Sequence, residues 1–395
     1  MTSLSPVEKS DRIISLDVMR GFSLLGIFII NMISFHSPFL YADAYTWWQH
    51  PDDKMFYPWI DVFVQASFYP LFAMMFGYGL AIQQRRSSLK GTSFYPMAVR
   101  RLLGLLVIGC IHAFVIWSGD ILINYALFGL LLLLFMKLSG RVLLWIGGLA
   151  FILPQLFFSI LLFLVSLVDE TGVTHFTDIQ ALQSSVQAYG SGSIQDIFMQ
   201  RWEDWYNVNG PANIFFLMLS ILPMLLIGAG AGKLQLLEQV KNHRSGWSIT
   251  LIVAVILGIS IKSLPILVEP NLAYSYIQDF LGGPFLSVSY AAILALLLIN
   301  KKITKWFRPL AAAGRMSLTN YLLQSVIGTL IFYSYGLGLY GQVTLITGTL
   351  LAIGIFVMQV ILSEMWLAKF KQGPVEKAWR MFTYGRKRPV KERDI

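Results

Sequence analysis

The chain has 395 residues, of which 56% are hydrophobic and 13% charged, with a net charge of +9 and a mean hydropathy of +0.64. A soluble domain carries about a quarter charged residues, so this composition excludes a water-facing globular surface. One cysteine excludes a disulfide framework or a thiolate cluster, and the positive charge, spread over loops between apolar runs, gives no reason to expect nucleic acid as a partner.

The residues that follow Met1 are polar, so no cleaved leader is expected. A helix needs about 20 apolar residues to cross a bilayer core. Such runs occupy 13–37, 58–83, 100–118, 120–138, 142–168, 211–232, 247–268, 284–300, 316–335 and 343–365. They predict an all-α fold, a polytopic integral membrane bundle of about ten transmembrane helices. Ser118-Gly119-Asp120 predicts a tight hairpin between the third and fourth spans. Cys110, within an apolar run, reads as a small buried side chain.

Loop charges give the orientation, because Lys and Arg stay cytoplasmic during insertion. Residues 84–101 hold Arg85, Arg86, Lys90, Arg100 and Arg101 with no acid, and 301–315 hold Lys301, Lys302, Lys305, Arg308 and Arg315 with none. Residues 169–210 carry Asp169, Glu170, Asp178, Asp196, Glu203 and Asp204 against Arg201 alone. Both termini are therefore expected inside, with 169–210 an extracytoplasmic polar segment and 369–395 a cytoplasmic basic tail. Trp202, Trp205 and Tyr206 predict an interfacial helix in the first of these. The tail includes Arg386-Lys387-Arg388, Lys391 and Arg393; it reads as a topology signal attracted to anionic membrane lipids.

Ionisable residues within spans face a protein interior or a wet cavity, and they mark candidate sites. An outer set comprises Asn31, His36, Asp61, His112, Asp120 and Asn124; an inner set comprises Asp17, Arg20, Arg100, Arg101 and Arg315. Histidine titrates near neutral pH and a neighbouring carboxylate fixes its tautomer, so the outer set suits proton transfer. Guanidinium grips phosphate bidentately, so the inner set suits a phosphorylated donor. Asp17 and Arg20, three apart on one helix face, serve either as an ion pair locking the first helix or as part of that site. His50 lies in an interfacial loop, and Lys262 is expected to snorkel to the surface. Five histidines without paired spacing predict no metal.

Several stretches resemble the YeiB family of bacterial membrane proteins. They are Leu16-Asp17-Val18-Met19-Arg20-Gly21 with Asn31, Leu71-Phe72-Ala73-Met74-Met75-Phe76-Gly77-Tyr78-Gly79, Gly109-Cys110-Ile111-His112, and Trp117-Ser118-Gly119-Asp120. Gly314-Arg315-Met316-Ser317-Leu318-Thr319-Asn320-Tyr321 and Gly373-Pro374-Val375-Glu376-Lys377-Ala378-Trp379-Arg380 continue the likeness to the end of the chain. The Leu-Asp-x-x-Arg-Gly opening also resembles heparan-alpha-glucosaminide N-acetyltransferase and related transmembrane acyltransferases. That wider resemblance implies acyl transfer from cytosolic acyl-CoA to an acceptor across the membrane, with a histidine near the outer ends of the first two helices as carrier or base. By position that is His36 or His50, whereas His112 falls within the YeiB pattern.

These readings converge on a transmembrane acyltransferase of the bacterial plasma membrane. Arg20, Arg100, Arg101 and Arg315 are expected to hold the acyl-CoA phosphates. His112, steered by Asp120 or Asp61, is expected to act as base on a glycan or small-molecule acceptor, with Asn31 polarising the acyl carbonyl and His36 the other candidate histidine. The alternative is a transporter or flippase for an amphiphile, and a third reading is a sensor. A homodimer is the default expectation for assembly.

Overall fold

A computed structural model describes residues 13–168, 177–268 and 270–384. Asp169, Glu170 and the tail bases Arg386, Lys387, Arg388, Lys391 and Arg393 lie outside the described residues. Among those described there is no strand, and eight helices are long and apolar enough to cross a membrane. They are α1 (Ile14–His36), the pair α2 (Pro51–Phe63) and α3 (Phe68–Leu89), α4 (Phe94–Ile116), α6 (Gly140–Val168), α9 (Pro211–Lys233), α10 (Arg244–Lys262), α11 (Leu272–Leu297) and α14 (Leu345–Lys369). Two shorter apolar helices, α5 (Leu122–Phe135) and α13 (Ser317–Phe332), lie where two further spans were expected. The chain is a multi-pass membrane protein with a helical bundle fold.

The differences from the expected spans have local causes. The second run is two helices broken at 64–67, where Ala66 takes a left-handed φ of 56°. Pro70 follows in the first turn of α3, where its missing N–H leaves the Ala66 carbonyl without a helical partner and favours the break. α5 has 14 residues and α13 has 16, short of the ~20 that a straight crossing needs. The non-helical stretch Trp117–Ile121 before α5 borders an internal cavity. Irregular backbone is tolerated at membrane depth in such a place because the protein, not lipid, meets its polar groups.

Glycines set how closely the helices approach, as small residues do where no water drives association. A Cβ on Gly228 of α9 would lie 2.0 Å from the Met74 carbonyl oxygen of α3, and one on Gly77 would lie 2.1 Å from that of Leu225. The same close packing joins α1 to α12 (Arg308–Arg315): a Cβ on Gly314 would lie 1.9 Å from Asp17 O, and one on Gly21 would lie 2.2 Å from Leu310 O.

One end of the bundle gathers the start of α1, the loop between α3 and α4, α12 and the amphipathic α15 (Pro374–Tyr384). Here Glu376 of α15 accepts from Leu318 N at 2.9 Å and Thr319 N at 3.0 Å, which caps the N-terminus of α13. Lys233 at the foot of α9 donates to Met136 O and Leu138 O, both at 2.7 Å, and so satisfies the open carbonyls beyond α5. The start of α1 and the C-terminal α15 thus share this basic end. The opposite, acidic end carries α7 (Ile179–Ser191) and α8 (Ile194–Asn209), the helices expected from the polar segment. Cys110 is half-buried on α4 rather than buried.

Candidate functional site

The C-terminal turn of α4 winds as a π turn over His112–Ile116, closed by Trp117 N donating to His112 O at 2.8 Å. Such turns are rare and concentrate at functional places. The carbonyls it frees are met from outside the helix: Arg201 of α8, with only 5% exposure, donates through Nη1 to Phe114 O at 3.1 Å and Val115 O at 2.9 Å. The sole base of the acidic segment therefore fixes the turn that carries His112. Arg201→Ala is expected to destabilise the fold by about 2–3 kcal/mol, the range for hydrogen bonds to a charged group. Thermal melting of the purified variant checks this; an unchanged melting temperature contradicts it.

His112 is buried between two partners. Its Nδ1 lies 2.7 Å from Asp120 Oδ1 and its Nε2 2.8 Å from Ser325 Oγ on α13. The second oxygen of Asp120 accepts from Ile123 N at 2.8 Å, at the start of α5, so the carboxylate is held in place by a helix N-terminus. Tyr321, one turn before Ser325, sets its ring centroid 4.9 Å from the imidazole. Of the two carboxylates that the sequence offered His112, Asp120 is the one within hydrogen-bond reach of it, while the Ser325 partner carried no sequence signal.

Asp61 belongs elsewhere. It accepts from Tyr45 OH and, at 2.8 Å, from Gln278 Nε2; Gln278 also donates to Lys262 O. Lys262 does not snorkel: it is fully buried, with Nζ 3.0 Å from Asp279 Oδ1. These residues tie α2, α10 and α11 together beside the π turn at Gln278–Gly282, and both nitrogens of His112 are already taken by other groups. His36, at the end of α1, is buried against Trp48 and Phe332, and neither ring nitrogen has a partner. His50 caps α2 at the surface beside Asp52.

Two cavities meet behind this centre. The outer one, about 310 Å³, is lined by Asn31, Trp117, Asp120, Asn124, Asp204 and Tyr321. Asn124 Nδ2 donates to Asn209 Oδ1 at 2.8 Å, and its own Oδ1 is buried without a partner. Asp204 accepts from Tyr41 OH at 2.7 Å, Tyr189 OH at 2.6 Å and Gln200 Nε2 at 2.7 Å. Burial pushes its carboxyl up from the ordinary range, and those hydrogen bonds offset part of the rise.

The inner cavity, about 130 Å³, is lined by Arg20, Arg101, Arg315, Arg380, Glu376 and Trp379. Arg20 lies 3.6 Å from Asp17, so the pair expected on α1 forms while Arg20 still borders the cavity. The Arg101 guanidinium stacks 3.7 Å over the Trp379 ring, and its Nε is buried without a hydrogen-bond partner. Arg100 is exposed and does not join them. Sequence reasoning missed Arg380 and Trp379 as lining residues, though both stand in the Gly373–Arg380 stretch that carried the resemblance. The cavities share a wall formed by Ile27, Ile121 and Tyr321. Among the described residues, no group of three or more His, Cys, Asp or Glu side chains is placed to hold a metal ion.

A cationic chamber backed against a carboxylate- and amide-lined chamber, with a hydrogen-bonded His–Asp pair beside the partition, can hold an anion on one side and move protons on the other. Comparison with known proteins gives the family. The uncharacterized protein YxaH of Bacillus subtilis is 35% identical over 410 residues, covering 99% of this chain and 98% of that protein. The chain belongs to the YeiB family, DUF418. The family model, described as a protein of unknown function, matches residues 231–386. The uncharacterized protein YeiB of Escherichia coli is 28% identical over 393 residues, covering 94% of this chain and 96% of that protein. The DUF418 match takes in α12, α13 and α15, and with them Arg315, Tyr321, Ser325, Trp379 and Arg380.

Proposed function

We propose that this DUF418 protein is a transmembrane acyltransferase of the bacterial plasma membrane. It moves an acyl group from a cytosolic acyl-CoA to an extracytoplasmic sugar or lipid acceptor. One observation carries the reading: the four-arginine cavity and the outer cavity, which a few polar side chains reach, stand back to back across Ile27, Ile121 and Tyr321. The excess of Lys and Arg makes the arginine end cytosolic. There Arg20, Arg101, Arg315 and Arg380 bind the donor's phosphates, and the buried unpartnered Arg101 Nε is a donor awaiting an anion. At the outer side Asp120 holds His112 in the tautomer that accepts a proton, and Asn31 faces the acceptor cavity as a carbonyl-polarising amide. Exclusion of bulk water strengthens each of these contacts.

Thermal melting of detergent-purified protein with acetyl-CoA and longer acyl-CoAs, against coenzyme A and buffer, tests the donor site. A ligand that binds the folded state at a hundred times its Kd stabilises it by about 2.7 kcal/mol. The expected result is a rise in melting temperature that Arg315→Ala removes. No rise with any acyl-CoA at millimolar concentration sinks the donor assignment and favours transport of an amphiphile instead.

A further inference from the structure

We propose that Ser325 is the nucleophile of this site and carries the acyl group as a serine ester between the two cavities. The inference rests on the acyltransferase reading above and adds a covalent step to it. Three structural observations converge. The hydroxyl of Ser325 lies 2.8 Å from His112 Nε2, and Asp120 lies 2.7 Å from His112 Nδ1. Nucleophile, base and orienting carboxylate within hydrogen-bond reach of one another is the arrangement that activates a serine. The base stands at a π turn whose freed carbonyls are tied to Arg201, so its position is fixed from two sides. Ser325 Oγ can also donate to the Tyr321 carbonyl, at a longer 3.4 Å than the 2.8 Å that separates it from His112 Nε2.

The placement answers a problem that the cavities pose. Donor and acceptor chambers are separated by Ile27, Ile121 and Tyr321, so a direct attack of acceptor on thioester has to cross that wall. Ser325 and His112 are buried immediately behind it, with the Tyr321 ring against the imidazole. For each chamber to reach the serine, the Tyr321 side chain, whose hydroxyl donates to Gly119 O at 3.2 Å, has to move aside.

In the first half, Oγ attacks the thioester carbonyl while His112 Nε2 takes the hydroxyl proton. The C–S bond breaks, the ester C–O bond forms, and the proton passes from His112 to the departing coenzyme A sulfur. In the second half, an acceptor hydroxyl loses its proton to His112 and attacks the serine ester. The new ester forms, the bond to Oγ breaks, and His112 returns the proton to Oγ. Asp120 accepts from Nδ1–H throughout and stabilises the imidazolium. No oxidant, metal or further co-reactant enters.

The test uses the full-length protein in detergent with acetyl-CoA or octanoyl-CoA and no acceptor, quenched in denaturant and digested for mass spectrometry. The expected result is a stoichiometric burst of coenzyme A and one acyl group on the peptide containing Ser325. Ser325→Ala loses both and lowers steady-state coenzyme A release, with a bacterial membrane extract as acceptor source, by about three orders of magnitude or more. Ser325→Cys restores the nucleophile and traps a hydroxylamine-labile thioester, which a purely structural role for the serine would not produce. Wild-type turnover by Ser325→Ala, or an acyl group on another residue, overturns the serine step while the acyltransferase reading stands. A wild-type protein that neither binds nor consumes acyl-CoA overturns that reading, and the serine step with it.

Discussion

His112→Ala abolishes acyl transfer while acyl-CoA still stabilises the protein; this is the largest effect expected from any single side chain in the site. The two parts of the prediction separate because the groups lie in different places. The phosphate-binding guanidiniums surround the inner cavity, whereas His112 lies between Asp120 and Ser325 beside the shared wall. The companion variant Asp120→Asn keeps the side chain's shape and removes the charge that holds the imidazole tautomer. Its expected loss is about 10⁴-fold in kcat, the size of effect known for the equivalent change in serine hydrolases. Coenzyme A release measured alongside the melting temperature checks both variants. Transfer undiminished in His112→Ala removes the imidazole from the mechanism, and a donor-induced stabilisation lost together with activity shows that the histidine supports binding instead.

Gly314→Val is expected to leave no folded protein in detergent. A Cβ alone would stand 1.9 Å from the Asp17 carbonyl oxygen and 2.7 Å from the Gly21 amide nitrogen. Both are backbone atoms of α1 that cannot move without shifting the helix. Overpacking a close contact costs about 1–3 kcal/mol where side chains can yield, and here none can. Whole domains hold only about 5–15 kcal/mol of stability, so a helix displacement here exceeds what the fold tolerates. Gly148→Val is the control: nothing lies within 4 Å of its Cβ position on α6. Fluorescence-detected gel filtration of the two variants reads the difference. A monodisperse Gly314→Val peak would mean that α1 and α12 need not touch. That contact also has a functional consequence, since it sets Arg20 and Arg315 on the same cavity.

The bundle was legible in the sequence because hydropathy is local. Ten runs appear as helices at their expected places, since a chain in lipid must satisfy every backbone group within its own helix. The departures are local: the second run breaks at 64–67 just before Pro70, a π turn at His112 ends α4, and one at Gln278 interrupts α11. Of the site, residue type and depth put the arginines at the basic end and gave His112 two candidate carboxylates; the structure sets Asp120, eight residues away, against the imidazole and leaves Arg100 outside the inner cavity. Asp61 was misjudged because depth alone grouped it with His112. Its partners Tyr45 and Gln278 come from two separate segments, and no local pattern links them.

Composition and charge distribution by themselves determined that this is a multi-pass membrane protein and which polar residues lie at each end, because these are sums over neighbouring residues. Only the tertiary structure decided which of those residues share a chamber. Ser325 is one serine in an apolar helix until α13 packs against the π turn of α4, 213 residues away in sequence, and turns its hydroxyl to His112. Arg380 and Trp379 are part of a basic tail until α15 folds under the bundle, where Glu376 caps α13 and Trp379 meets Arg101. Helix packing fixes such meetings through glycine contacts and caps far apart in the chain, and a local pattern carries no information about them.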